Sequence, residues 1–201
     1  STEGKLISNF DLEDDKYRHS ELLTSTIKDI LVQNNISAKD LSAVAIGIGP
    51  GSFTGLRIGF SVAKGLCYPH KINLIGISSL KILANSIKAD SGDIVSMIND
   101  KGNFYYLSTF EDKLNEVGNP ILEQVDPNFI KKYIKDGSTI VVNSEDSFNY
   151  ISTTINDQIK LINKSISSIN MIDLSYESFL EKRFEDLAYC EPLYIKKPYV
   201  N

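Results

Sequence analysis

Three observations predict an α/β fold for this 201-residue chain. Strand-length apolar runs alternate with helical-period segments through its middle, the pattern of a partly parallel sheet. Glycine is concentrated where one such strand meets a helix. A turn signal, Asn99-Asp-Lys-Gly102, then separates two strand-like runs and marks a hairpin.

Each element has a local reason. Lys5 to Asp11 reads as a strand carrying Leu6, Ile7 and Phe10. Residues 12 to 18 are charged and read as loop. A helix is predicted over Ser20 to Asn34, because Leu23, Ile27, Ile30 and Leu31 recur at helical spacing. Ser20 suits its N-cap and Glu21 its positive first turn. Ser37 to Asp40 resembles a capping box with Asp in place of Glu, opening one short turn. Leu41 to Gly49 holds the run Ala43-Val-Ala-Ile46, which reads as a buried strand. A helix follows over Gly55 to Tyr68, with Thr54 as its N-cap and Pro69 as its stop. Asn73 to Ile77 reads as a strand and Ser79 to Lys88 as a helix.

Strands are then predicted at Asp93 to Ile98 and Asn103 to Phe110, joined by the turn, with a third at Asn115 to Val125. Pro127 to Lys135 reads as a helix with proline where its missing N–H costs nothing. Thr139 to Val142 is a short strand. Signals are weak from there to Ser167. Met171 to Phe184 reads as helix and Pro192 to Lys197 as extended. A lobe boundary is expected near residues 88 to 93. That gives residues 1–90 as an N-terminal lobe and 91–201 as a smaller second lobe, whose tail is free to return to the first.

Composition excludes several classes. Hydrophobic residues are 42% and charged residues 23%, ordinary globular usage that argues against disorder. The net charge is -5. No Lys/Arg run exceeds a pair such as Lys196-Lys197, so the chain lacks the basic footprint of a free-standing nucleic-acid binder. Two cysteines, Cys67 and Cys190, make no disulfide framework. No apolar run approaches the ~20 residues of a membrane helix, and no signal peptide is visible. The expectation is a soluble cytoplasmic protein with reduced thiols and no membrane contact.

The informative segment is Gly47-Ile-Gly-Pro-Gly-Ser-Phe-Thr-Gly-Leu-Arg-Ile-Gly59. It follows a strand and opens a helix, where free N–H groups suit an anion. Gly49, Gly51 and Gly55 permit positive φ or close approach. Arg57 in the first turn has the reach for a phosphate or carboxylate. Gly51, Ser52, Thr54 and Arg57 are therefore anion-site candidates. Gly59 and Gly65 lie inside the helix at a cost of about 1 kcal/mol each against alanine, which suggests close packing there. The familiar motifs do not fit. No Walker A spacing precedes a lysine. G-x-G-x-x-G needs glycine at 52 or 54. A nucleophile elbow needs glycines flanking Ser52 at two residues. A structural turn and an anion site both stay open.

As a whole the segment Gly49 to Gly59, continuing through Ala63-Lys-Gly-Leu66, resembles the signature of the bacterial TsaB (YeaZ) family. Arg18-His-Ser-Glu-Leu-Leu23, Ile75-Gly-Ile-Ser-Ser-Leu80, Asn99-Asp-Lys-Gly-Asn-Phe-Tyr105 and Glu191-Pro-Leu-Tyr-Ile195 agree in order and spacing. One departure is Asn99-Asp-Lys101, where the family more often has Asp-Ala-Arg. The resemblance is strong over residues 18 to 106 and thin beyond.

The resemblance implies an actin and sugar-kinase type (ASKHA) fold with a reduced second lobe. It implies a role in making threonylcarbamoyladenosine beside the tRNA anticodon. The implied role is that of a non-catalytic partner supporting the transferase TsaD, with the ATPase TsaE joining. In the family the first two helices form a bundle with TsaD, or with a second copy when TsaD is absent. Carried onto this chain, the interface residues are Leu23, Ile27, Gly55, Leu56, Gly59, Phe60 and Ala63. ATP or ADP is expected only at a composite interface with partners, and tRNA only through the complex. Family members begin with a strand, an Asp-Thr-Ser-Thr-type turn and a second strand. The chain opens Ser1-Thr2-Glu3-Gly4, so the expectation is that these N-terminal strands are missing from it.

Other residues carry less. His19 and His70 form no H-x-x-x-H pair, which argues against a metallopeptidase. Cys67 reads as a small buried hydrophobe. Glu13-Asp-Asp15 and Asp186 read as solvated charge. The competing class is a nucleotide-dependent phosphotransferase or hydrolase using residues 47–59 as its phosphate cradle.

Overall fold

In a computed structural model the described residues are 1–11, 19–87 and 92–195. The acidic cluster Glu13-Asp-Asp15 and Arg18 lie outside them, as do Lys196 and Lys197. The chain packs as two compact units: Ser1–Ile77 with Ser167–Pro192, and Ser78–Ile166 with Leu193–Asn201. The division thus falls at 77/78, and the segment Ser167–Pro192 groups with the first unit.

The first unit begins with an isolated bridge between Thr2 and Lys5. Residues 6–11 join no strand ladder among the described residues. Leu6, Ile7 and Phe10 are exposed, at 51%, 45% and 53%. This departs from the strand expected at 5–11. The apolar residues are in place, but a strand also needs a neighbouring ladder. Asn9 and Asp11 are instead tied to Ser168 and Ser167, whose hydroxyls donate to Asn9 Oδ1 and Asp11 Oδ2 at 2.9 and 2.8 Å.

Helix α1 (His19–Gln33) lies close to the predicted span. A 3-10 turn follows at Ala38–Asp40, where the Ser37 N–H donates to Asp40 Oδ2 at 2.9 Å, as the capping box requires. Strand β1 (Ala43–Gly49) is half-buried along most of its length rather than fully buried. Among the described residues its sheet has two strands, β1 and β2 (Asn73–Ser78). Between them runs helix α2 (Phe53–His70), which extends two residues past the predicted end at Tyr68. Pro69 sits in the last turn, where one lost N–H does not unwind what precedes it. The end comes at Lys71, whose left-handed φ of 55° turns its N–H onto Cys67 and Tyr68 carbonyls. Helix α2 buries Phe60, Ala63 and Cys67. Ala63 and Cys67 join Ile72 and Leu74 in a small core.

The second unit is built on a five-stranded sheet. It opens with helix α3 (Ser79–Ala84), shorter than predicted because the sequence breaks to Asn85 and Ser86. The Ser86 hydroxyl takes the Leu83 carbonyl at 2.6 Å, a local competitor to further helix. Strands β3 (Ile94–Lys101) and β4 (Phe104–Glu111) form the hairpin. The turn itself is Gly102-Asn103, so Asn99 to Lys101 belong to the strand. Asn99 still makes the turn: its amide donates to the Gly102 and Phe104 carbonyls at 2.8 and 3.2 Å. Strand β5 (Asn115–Gln124) pairs antiparallel with β4. Helix α4 (Pro127–Tyr133) is capped by Asp126, which accepts from the Phe129 N–H at 2.7 Å. Strand β6 (Thr139–Val142) lies parallel to β3.

Two elements lie where sequence signals were weak. Helix α5 (Glu145–Ser152) is capped by Ser144, and strand β7 (Lys160–Asn163) lies parallel to β6. The sheet order is β5-β4-β3-β6-β7. One face packs Leu80, Leu83 and Ala84 of α3 on Ile94, Ile98 and Phe110. The other packs Ile130 of α4 and Ile151 of α5 on Val95, Met97 and Tyr105. Ser167–Pro192 returns to the first unit, carrying a 3-10 turn at Ser168–Met171 and helix α6 (Ile172–Leu180). The helix predicted to Phe184 ends four residues earlier. Lys182 then takes a φ of 57°, and the Glu185 N–H donates to the Leu74 carbonyl at 2.8 Å.

Candidate functional site

The glycine segment forms the turn from β1 into α2. Gly49 has a φ of 105°, a region that favours glycine, and the Gly49–Pro50 peptide is cis. Gly51 and Gly55 do not take positive φ, so the freedom expected of all three is used at Gly49 alone. Ser52, not Thr54, is the N-cap: its hydroxyl accepts from the Gly55 N–H at 3.3 Å. The helix therefore starts two residues earlier than the glycine spacing suggests. Gly51, Ser52, Thr54 and Gly55 are exposed. Arg57 is exposed too, and its guanidinium lies over the Phe53 ring, 3.9 Å from the centroid.

The interface candidates separate into two sets. Phe60 and Ala63 are buried at 5% and 4%, so they serve the chain's own interior. Gly59 faces β1, where an added Cβ would meet Ile46 Cδ1 at 3.5 Å, ordinary contact. An added Cβ at Gly65 meets nothing within 4 Å. Among the described residues neither glycine is packed so tightly that a Cβ would clash. Leu56 is half-buried, as are Leu23 and Ile27 on α1.

Helix α1 packs against α2. Its apolar stripe is the expected one, yet none of residues 22–33 is buried. Between the two helices lies a groove of about 650 Å³, lined by Ile27, Leu31 and Val32 on one side and Val62, Gly65 and Leu66 on the other. Val32 is 65% exposed. Of the seven interface candidates only Ile27 lines this groove. Leu31, Val32, Val62 and Leu66 were legible as apolar residues, but the helical period could not say which of them stay uncovered.

The remaining candidates have structural surroundings. Asp186 caps a turn, accepting from the Ala188 N–H at 2.8 Å and the Tyr189 N–H at 3.3 Å. His70 is exposed at the end of α2. Burial pushes the Cys67 thiol above its ordinary pKa, and the nearby Cys190 thiol raises it further. Among the described residues no three His, Cys, Asp or Glu side chains gather as metal ligands. Among those residues no helix is long and apolar enough to cross a membrane.

Comparison with known proteins places this geometry. The family model described as TsaD, tRNA N6-adenosine threonylcarbamoyltransferase, matches residues 13–197. The chain is 38% identical over 74 residues to the tRNA threonylcarbamoyladenosine biosynthesis protein TsaB of Escherichia coli, covering 37% of this chain and 32% of that one. It is 43% identical over 72 residues to TsaB of Buchnera aphidicola from Schizaphis graminum, covering 36% and 34%. It is 31% identical over 113 residues to TsaB of Bacillus subtilis, covering 56% and 47%. The chain thus matches about a third to a half of the length of these curated relatives. The solved structure of YeaZ from Pseudomonas aeruginosa superposes with a TM-score of 0.76 at 18% identity, covering 90% of this chain and 86% of that one. The mixed α/β architecture accordingly fits an actin/sugar-kinase-like fold.

Proposed function

The chain belongs to the family of the TsaD model and to its TsaB (YeaZ) relatives, and on that premise we propose that it works in tRNA threonylcarbamoyladenosine biosynthesis as a non-catalytic partner subunit of a TsaD transferase. The observation that carries this reading is the uncovered stripe of α1 and its groove with α2. An apolar stripe without buried residues is completed by a second surface. An amphipathic helix, or a pair of helices, fits such a groove. The turn at Gly49–Ser52, with Thr54 and Arg57, then shapes the start of α2 and performs no chemistry. TsaE, tRNA held through the complex, and ATP or ADP at a composite interface complete the proposed assembly in the cytoplasm. A homodimer through the same surface is the proposed state without TsaD.

The competing phosphotransferase or hydrolase reading rests on the exposure of Gly51, Ser52 and Thr54. Two observations weigh against it. The Ser52 hydroxyl already holds one of the first helical N–H groups, and Arg57 covers Phe53.

The test combines the protein with its cognate TsaD, TsaE and the enzyme supplying threonylcarbamoyl-adenylate, and measures modified adenosine in tRNA. Modification is expected only when both this protein and TsaD are present. Val62→Glu and Leu66→Glu are expected to weaken complex formation about tenfold or more, roughly 1.4 kcal/mol, with circular dichroism unchanged. Full modification without this protein would overturn the reading. Tight nucleotide binding by the isolated chain, lost in Arg57→Ala, would support the competing one.

A further inference from the structure

Cys67 and Cys190 are the only cysteines in the sequence. They lie far apart along the chain, and the same small core of the first unit holds Cys67 and has Cys190 packed against it. Cys67, fully buried near the end of α2, belongs to the cluster with Ala63, Ile72 and Leu74. Cys190, half-buried, packs against that cluster together with Leu187. Both thiols are free. The Cys67 thiol donates weakly to the Asn73 carbonyl at 3.8 Å. Cys190 is presented by the turn that Asp186 caps: its N–H donates to the Asp186 carbonyl at 2.8 Å. The electrostatic influence of Cys190 on Cys67 accords with this packing.

We propose that Cys67 and Cys190 are an oxidation-sensitive pair that closes to an intramolecular disulfide, with Cys190 reacting first and Cys67 resolving. Exposure assigns the roles, since Cys190 reaches solvent and Cys67 does not. The oxidant is a low-molecular-weight disulfide, for which oxidised glutathione is the probe. The Cys190 thiolate attacks one glutathione sulfur, forming a mixed disulfide and releasing one glutathione as thiolate. Cys67 then gives its proton to solvent, and its thiolate attacks Cys190 Sγ. The mixed disulfide breaks, and the second glutathione leaves and takes up a proton. Two protein thiols lose two electrons, and one glutathione disulfide becomes two thiols. The resolving step needs the Cys67 thiolate, which burial disfavours, so it accelerates as pH rises. Cys67 does not line the groove between α1 and α2. The inference therefore stands apart from the proposed function.

The test incubates the folded chain with oxidised glutathione across a pH series, quenches by alkylation and maps peptides by mass spectrometry. The expected result is a peptide pair joining Cys67 to Cys190, lighter by two hydrogens. A transient glutathione adduct at Cys190 should precede it, and dithiothreitol should reverse it. Cys67→Ser should trap the adduct at Cys190, and Cys190→Ser should take up glutathione at least tenfold more slowly. A lasting adduct on Cys190 that Cys67 never displaces would overturn the proposal, as would cross-links only between separate chains. Both outcomes are read in the unsubstituted chain, so they do not depend on how either variant folds.

Discussion

The guanidinium of Arg57 lies 3.9 Å from the centroid of the Phe53 ring, one turn back along α2. The pair covers the first turn of the helix with a cation over an aromatic face. A residue suited to grip an anion is thus engaged with its own helix. Phe53 is 46% exposed, so the contact belongs to the weak, solvated class. Arg57→Ala should lower stability by about 0.5–1 kcal/mol, read from urea denaturation. Phe53→Ala made on top of it should add less than it does alone. Equal additive losses would show that the two side chains do not interact.

Ser52 and Thr54 offer rival N-caps, and only Ser52 makes the bond. Ser52→Ala should cost about 1 kcal/mol. Thr54→Ala should change stability by less than half as much. A reversed order would place the cap at Thr54 and move the helix start by two residues.

Gly65 and Gly76 should respond oppositely to alanine. An added Cβ at Gly65 meets nothing within 4 Å, in a helix interior where glycine is unfavourable. Gly65→Ala should stabilise by up to about 1 kcal/mol. At Gly76 on β2 an added Cβ would lie 2.7 Å from Ile48 Cγ2 and from Glu185 Oε1. Glu185 is a flexible, exposed end and can swing away, but the branched Ile48 has less freedom. Gly76→Ala should destabilise by about 1–3 kcal/mol. Thermal denaturation of the two variants gives both signs in one experiment.

Alkaline pH should weaken the fold through two buried groups. Burial raises the Cys67 thiol, with Cys190 adding to it, and burial likewise raises the Tyr105 phenol against the lowering effect of its hydrogen bonds. Both groups are neutral when protonated and are held in that form more firmly in the folded chain. Their contribution is fully present below the ordinary thiol and phenol ranges. It is lost as pH rises through the raised folded values. Unfolding free energy should therefore fall above the ordinary thiol range and fall again above the ordinary phenol range. Tyr105→Phe should flatten the second decline, and an unchanged slope in that variant would assign it elsewhere.

Local signals made much of this protein legible. Helix α2, the Ser37–Asp40 turn, the β3–β4 hairpin, β6 and the proline at the start of α4 all follow from residues within one turn of each other. The TsaB-like glycine segment was equally legible, because it is a long ungapped run. Elements α5 and β7 escaped, since β7 has polar ends around two apolar residues and gains its order by pairing with β6.

What tertiary structure alone decided concerns covering. The period of α2 predicts an apolar stripe, but only packing on β1 shows that Phe60 and Ala63 face inward while Val62, Gly65 and Leu66 face the groove. The stripe on α1 was legible; that no residue of 22–33 is buried was not. Leu6, Ile7 and Phe10 are apolar enough for a strand, yet a strand also needs a neighbour, which lies outside any local window. The packing of Cys190 against the core that holds Cys67 is of the same kind. Hydrophobic period is a property of neighbours along the chain, whereas burial is a property of whatever surface the folded chain brings opposite. The sequence by itself therefore determined most of the elements and the family, and the tertiary structure determined which apolar surface is left uncovered.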